Sequence, residues 1–340
     1  MKIAFLVPNF SKIDGGARVA EVHARELADA GNEVSIFALN ADIQPINATL
    51  HVMGMPKNLF RRRVYRLIFP LDIIKTLKWL PRLKEFDMTI AYYYPLTWLS
   101  YLAKKFYGVK YTFWYVGISE PQLFGRFHER VFIRMHRFLT RCTTKNADHA
   151  AAISRYSLRE MKQNTGLDGE VVYSKVDTRK FRPGIDGSEI RQEYGLGDSP
   201  VIFYIGALHP GKGVHLLIQA FKTVLKEMPD ARLVIGGRPD HNHYVQELER
   251  DADEAVIFAG FISDELLPLF YGMCDVYATA SLQENFNLPL VEAQTCGKPV
   301  VAFDLGSHPE LINENGILVE AGNTAELARA IISICNRKSG

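Results

Sequence analysis

Cysteine is scarce in this chain, and what little there is lies apart. Cys142, Cys274, Cys296 and Cys335 form no C-x-x-C pair and have no histidine at zinc-finger spacing. Neither a disulfide scaffold nor a structural zinc is indicated, and the four thiols read as buried groups of a reducing compartment. Long apolar runs are also missing. The longest uncharged stretch, 88–103, is shorter than a membrane span and carries Pro95 in its middle. The opening IAFLV is too short for the core of a signal peptide and runs into Pro8-Asn9 rather than small residues. A cytoplasmic protein is expected. Charge of one sign is lacking too: 40 Lys and Arg face 38 Asp and Glu, a net charge of +2, so there is no basic surplus to neutralise phosphates and no nucleic acid is expected as a partner. The dinucleotide fingerprint G-x-G-x-x-G is absent from the first strand–loop–helix stretch, where only Gly15-Gly16 occurs, late in the loop.

What remains is an ordinary globular composition, 47% hydrophobic and 23% charged over 340 residues, enough for two domains with separate cores. The chain is organised around 274–304, which reads as strand, loop, short helix, strand. Residues 275–280 are β-branched, aromatic or small. Pro289 stands where a helix accepts its first residue, Gly297 ends that helix, and Pro-Val-Val-Ala-Phe opens the next strand. In such a βαβ unit ligands bind beyond the carboxyl ends of the strands, so Glu284 and Glu292 are expected near one crevice, Glu292 in the first turn of its helix. Upstream, Lys212 lies in a glycine-flanked loop between the strand VIFYIG and the helix VHLLIQAFKTVLKEM. A cation, free amides and a helix N-terminus coincide there, which suits an anion.

Strand–helix alternation fills both halves. Strands are expected at 2–7, 34–39, 88–94 and 147–154 in the first half, and at 201–206, 231–237, 255–260 and 275–280 in the second. The fold class is therefore α/β, with two doubly wound sheets facing each other across a cleft. The Gly-, Pro- and Asp-rich residues 183–199 are expected to form the linker between a first domain, 1–182, and a second, 200–340. His241-x-His243 and Asp251-x-Asp253 are too sparse for a metal site, and no metal is expected.

The segment ENFNLPLVEA, placed between two strands, resembles the Glu-x7-Glu signature of retaining glycosyltransferase family 4, whose fold is GT-B. GALHPGKGVHLLIQAF resembles the same family's donor loop. The likeness covers nearly the whole chain. It implies sugar transfer from a nucleoside-diphosphate sugar, with retention at the anomeric carbon and no separate cofactor. By this resemblance Lys212 grips the diphosphate and Glu284 orients the donor sugar; these are the candidate catalytic residues. Glu292 would accept hydrogen bonds from the ribose diol. Amides of Gly15, Gly16, Phe286, Asn287 and Leu288, beside Gly206 at the end of its strand, would complete donor binding.

The chain departs from the pattern in three places. The cation usually found after the strand-ending glycine is Ala207, and Arg238 is the expected substitute. The usual first-domain histidine is missing, with Tyr115, Gly117 and Glu120 nearest its place. Asn285 and Asn287 stand where many relatives have glycine, and asparagine tolerates the positive φ that glycine would supply. These departures keep open a sugar-nucleotide-binding protein impaired in catalysis, or a phosphorylase or epimerase on the same fold. Family members continue past ELARAII with helices that cross back onto the first domain, whereas this chain stops at Gly340, so either the C-terminus is truncated or that brace is dispensable. The implied acceptor is a glycan or a lipid-linked sugar. Residues 57–84 hold Lys57, Arg61, Arg62, Arg63, Arg66, Lys75, Lys78, Arg82 and Lys84 among apolar and aromatic neighbours. That mixture fits either an anionic membrane surface at the inner face of the cell membrane or a solvated helical face whose apolar side packs inward.

Overall fold

The structure is a computed structural model that describes residues 1–11, 15–118, 127–238 and 242–338. It comprises two compact units, Met1–Lys175 and Val176–Gly340. Both are Rossmann-like, with a wholly parallel main sheet covered by helices.

In the first unit the strands are β1 (Lys2–Leu6), β2 (Asn9–Phe10), β3 (Glu33–Ala38), β4 (Asn40–Ala41), β5 (Thr49–Val52), β6 (Met88–Ala91), β7 (Lys110–Tyr115), β8 (His149–Ala152) and β9 (Glu170–Val171). The helices are α1 (Gly15–Asp29), α2 (Leu59–Ile68), α3 (Ile73–Trp79), α4 (Thr97–Tyr107), α5 (Phe127–Thr144) and α6 (Arg155–Thr165). The main sheet runs β5-β3-β1-β6-β7-β8-β9, with β2 and β4 paired apart from it. Ala4, Leu6, Ile90 and Phe113 are all buried. Strands covered on both faces carry near-continuous apolar sequence, and these do.

The second unit contains β10 (Val201–Ile205), β11 (Arg232–Gly236), β12 (Val256–Gly260), β13 (Val276–Thr279), β14 (Val300–Phe303) and β15 (Gly316–Val319). Its helices are α7 (Ser188–Glu193), α8 (Val214–Glu227), α9 (Asn242–Asp251), α10 (Leu267–Met273), α11 (Leu288–Thr295), α12 (His308–Leu311) and α13 (Thr324–Lys338). The sheet order is β12-β11-β10-β13-β14-β15. Side chains alternate across it: Ile202 and Tyr204 pack with Leu217, Phe221 and Ile331, whereas Phe203 packs on the other face with Tyr271, Tyr277 and Leu290.

Three expectations are corrected. The units divide between Lys175 and Val176, and 183–199 is no linker: it carries α7, with Ile190 and Leu196 in the core of the second unit. Arg191 explains why, since its guanidinium donates to the carbonyls of Met273, Gly197 and Ser199 and to Asp275, 2.9 Å away. Glycine and proline there shape a packed connection. Of the thiols, Cys142 is exposed and the other three are buried. In the basic segment Phe69, Trp79, Leu80 and Leu83 pack inward, but Phe60, Val64, Ile68, Leu71, Ile73, Ile74 and Leu77 are exposed. The segment is therefore only partly a packed amphipathic face. No helix among the described residues is long and apolar enough to cross a membrane.

Candidate functional site

In the second unit β10 and β13 are neighbours that are not consecutive in the chain, so the connections leaving them diverge to opposite sides of the sheet. A crevice at the carboxyl ends is the result, and the loops 206–213 and 280–287 form its walls. Gly213 lets the two approach: its φ is +62°, and a Cβ there would lie 1.8 Å from the carbonyl oxygen of Ala280. The Leu282 amide donates to the Gly211 carbonyl at 2.9 Å and ties the walls together.

Across this junction the ammonium of Lys212, in a single turn at Pro210–Lys212, meets Glu284 Oε2 at 2.7 Å. Glu284 is only 8% exposed. A short charge-assisted contact in so dry a place is strong, and it satisfies a carboxylate that would otherwise be costly to bury. The expected anion-binding lysine thus already has an anion beside it. The amides of the helix N-terminus are not all free either, because the Tyr244 hydroxyl accepts from the His215 amide at 3.2 Å in the first turn of α8.

The loop 284–287 is held from behind by the turn after β14. The Ser307 amide donates to the Glu284 carbonyl at 3.1 Å, and a Cβ on Gly306 would come within 2.3 Å of that oxygen. Asn287 caps α11 by accepting from the Leu290 amide at 3.1 Å, and its Nδ2 lies 3.0 Å from His308 Nε2. His308 Nδ1 lies 2.8 Å from the Phe303 carbonyl. Burial chiefly, with Lys212 adding to it, holds His308 below the usual histidine range against the opposing pull of Glu284, Asp304 and the Phe303 carbonyl. Asn287 has φ −87°, and Asn47 is the one non-glycine residue with positive φ among the described residues. The asparagines therefore do not stand in for left-handed glycines; Asn287 is a helix cap.

Glu292 lies in the second turn of α11 rather than the first, since the helix opens at Leu288. It is 1% exposed, and the Tyr271 hydroxyl donates to its Oε2 at 2.9 Å. Tyr277, fully buried, is within electrostatic reach of both Glu284 and Glu292, and burial first, then Tyr204 and the two carboxylates, push its phenol well above the usual range. The charges of both glutamates are thus felt at one buried phenol.

Other predicted residues are more scattered. Gly206 continues β10, its amide donating to the Gly236 carbonyl at 3.2 Å. Arg238 places its guanidinium 4.3 Å from the Phe261 ring centroid, a cation–π contact. The Leu288 amide is engaged by the Phe286 carbonyl at 3.1 Å. Gly15 and Gly16 belong to the first unit, where they are the first residues of α1 instead of loop residues before it. Tyr115 is buried and accepts from Asn164 at 2.8 Å, Gly117 has φ +101°, and Glu120 and His241 lie outside the described residues. Sequence reasoning missed Tyr271 and His308. Nothing in the spacing of either points to the site, although a histidine one turn beyond a buried strand is a polar group that needs a partner.

Two family profiles match the chain: Glycosyltransferase Family 4 over residues 13–180 and Glycosyl transferases group 1 over residues 186–339. Among curated proteins, the chain is similar to a GDP-mannose-dependent alpha-(1-6)-phosphatidylinositol monomannoside mannosyltransferase of Mycolicibacterium smegmatis, 32% identical over 55% of this chain and 52% of that protein. It is also similar to a D-inositol 3-phosphate glycosyltransferase of Corynebacterium kroppenstedtii, 33% identical over 49% of this chain and 40% of that one. The chain thus spans about half the length of the curated relatives it matches. Among solved structures, Anabaena Alr3699/HepE in complex with UDP-glucose aligns over 100% of this chain and 90% of its own, with TM-score 0.78 and 23% identity. Sucrose-phosphate synthase from Thermosynechococcus elongatus aligns over 100% and 90% with TM-score 0.82 and 19% identity.

Proposed function

Because the chain belongs to the family 4, group 1 glycosyltransferases of GT-B fold, we propose that it transfers a sugar from a nucleoside-diphosphate sugar to a glycan or lipid-linked acceptor. Retention at the anomeric carbon and independence of metal ions are part of the same proposal. The observation that carries it is the Lys212–Glu284 pair at 2.7 Å at the carboxyl ends of neighbouring strands, in the unit whose α11 carries the buried Glu292. Glycosyl transfer separates charge: positive charge grows on the sugar as the diphosphate departs. A crevice holding one ammonium, one nearby carboxylate and oriented amides stabilises both ends of that separation without reorganising. Glu292, held by Tyr271, offers its carboxylate to a ribose diol, and Lys212 turns towards the leaving group. Gly15, Gly16, Gly206, Arg238 and the 286–288 backbone are proposed to complete donor binding.

GDP-mannose and UDP-glucose, named for a relative and a structural neighbour, are the donors to try first. Slow nucleotide release from one of them, unaffected by EDTA and lost in Glu284→Ala, is the expected result. No release from any nucleotide sugar, with nucleotide binding intact, would favour a binding protein instead. Proton NMR of the first-formed product reads the anomeric configuration.

The proposed place of work is the cytoplasmic face of a membrane, reached through residues 57–84. Ile74 is 84% exposed and Leu71 75%. Arg61, Lys78, Arg82 and Lys84 are exposed in the same segment. Exposed apolar side chains among cations favour an anionic bilayer, each cation contributing about 1 kcal/mol near the surface. The protein should sediment with phosphatidylglycerol vesicles at low salt, and Phe60→Ser with Ile74→Ser should weaken that binding even where salt does not. A protein that stays in the supernatant refutes the membrane reading and leaves the donor reading untouched.

A further inference from the structure

The Asn287–His308 contact joins two side chains that are both buried, 4% and 0% exposed, on elements belonging to different βα units. Its directions can be worked out from its ends. The Leu290 amide can only donate, so the asparagine atom facing it is Oδ1 and the atom facing His308 is the amino Nδ2. An amino group donates, so His308 Nε2 must be the unprotonated, accepting nitrogen. The proton then sits on Nδ1, facing the Phe303 carbonyl, which can only accept. Three hydrogen bonds therefore run one way, from the α11 amide through Asn287 and His308 to the end of β14, and neither backbone end can reverse.

We propose that His308 is a positioning residue for the donor loop: as a neutral, Nδ1-protonated imidazole it locks Asn287, and with it the 284–287 backbone that carries Glu284. The turn that bears His308 also holds Glu284 directly, through the Ser307 amide at 3.1 Å. Replacing the imidazole by an apolar group strands the Asn287 amino group in a dry place, and an orphaned buried donor is costly enough to move the segment. The consequence for catalysis rests on the donor-site reading above; the mechanical claim does not.

The test uses the full chain, with His308→Leu, His308→Gln and the double variant Asn287→Ser with His308→Leu. Glutamine can accept from Asn287 and donate to the Phe303 carbonyl. Serine keeps the cap and removes the stranded amino group. Hydrogen exchange of peptides spanning 284–291 should accelerate about tenfold or more in His308→Leu, and return to within about threefold of wild type in the other two. Equal exchange in wild type and His308→Leu overturns the proposal, as does a glutamine variant as loose as leucine; if His308→Leu does not fold, the other two variants still decide. With GDP-mannose or UDP-glucose as donor, kcat should drop about tenfold in His308→Leu while calorimetric affinity for GDP or UDP changes less than about threefold. Equal losses in both would mean general damage and refute positioning. A wild-type protein inert towards nucleotide sugars would count against the donor reading alone, because the exchange result stands without any substrate.

Discussion

Replacing Glu284 by glutamine should tighten the binding of free GDP or UDP even as it suppresses sugar transfer. The Lys212 ammonium is 2.7 Å from Glu284 Oε2. A diphosphate that docks on the lysine meets a cation already neutralised, with a like charge close behind it. If a phosphate oxygen bonds the far side of Nζ, the two anions are about 6 Å apart, and two unit charges at that distance repel by about 3 kcal/mol at an effective dielectric of about 20. The Lys212 side chain keeps a quarter of its surface in water, 25%, so solvent and salt should remove about half of that. The remainder is about tenfold in affinity. Glutamine preserves the volume and an acceptor for the ammonium, so only the charge is changed. Calorimetry with GDP and UDP at two ionic strengths reads the effect, which should shrink as salt rises. Affinity that is equal or weaker in Glu284→Gln would show that Lys212 does not meet the phosphate. A companion cycle needs no ligand: Lys212→Met leaves a buried carboxylate alone, so adding Glu284→Gln to it should restore stability in urea unfolding.

Tyr271→Phe should lower unfolding stability by about 1.5–3 kcal/mol, because it strips a hydrogen bond from a buried carboxylate; an unchanged urea midpoint would mean that hydroxyl is not what satisfies Glu292. Gly213→Ala should cost about 2 kcal/mol or more, through left-handed strain and the collision with the Ala280 carbonyl, and should appear as a lowered thermal midpoint. Acid should weaken the fold through two buried histidines: burial lowers His23 and His136 from 6.5 to about 4. The unfolded chain takes up those protons first, so the stability these neutral rings contribute is complete above about pH 6.5 and is lost as pH falls towards 4, by about 3 kcal/mol for each ring. His136→Phe should flatten the pH dependence of the denaturant midpoint over that range, and an unaltered slope would contradict the burial argument.

Much of the second unit could be read in advance because its signals are local. Pro289, Gly297 and Pro299 bracket one helix, and VIFYI and VVAF can be little other than buried strands. The Lys212 loop and Glu284 were placeable for the same reason. The relation between them was not, because the pairing depends on how closely α8 approaches the end of β13, and that depends on the missing Cβ of Gly213. Residues 183–199 misled by composition: glycine and proline mark a change of direction, and only the bonds of Arg191 show that the change occurs inside a packed unit. Asn287 misled through its φ preference, since the same side chain also caps helices, and His308 decides which use is made. In the first unit β5 and β9 are too short to carry a readable alternation, and α5, although amphipathic, went unread.

The close approach of Gly213 to Ala280 also bears on how the protein acquires its site. Lys212 and Glu284 are 72 positions apart, and their loops meet only after β10 and β13 lie side by side. Contacts of such long range form late in folding. A nucleotide bridging the two walls would find nothing to bind in the transition state. Its stabilisation would then fall on the unfolding step, lengthening the lifetime of the assembled unit without hastening its formation.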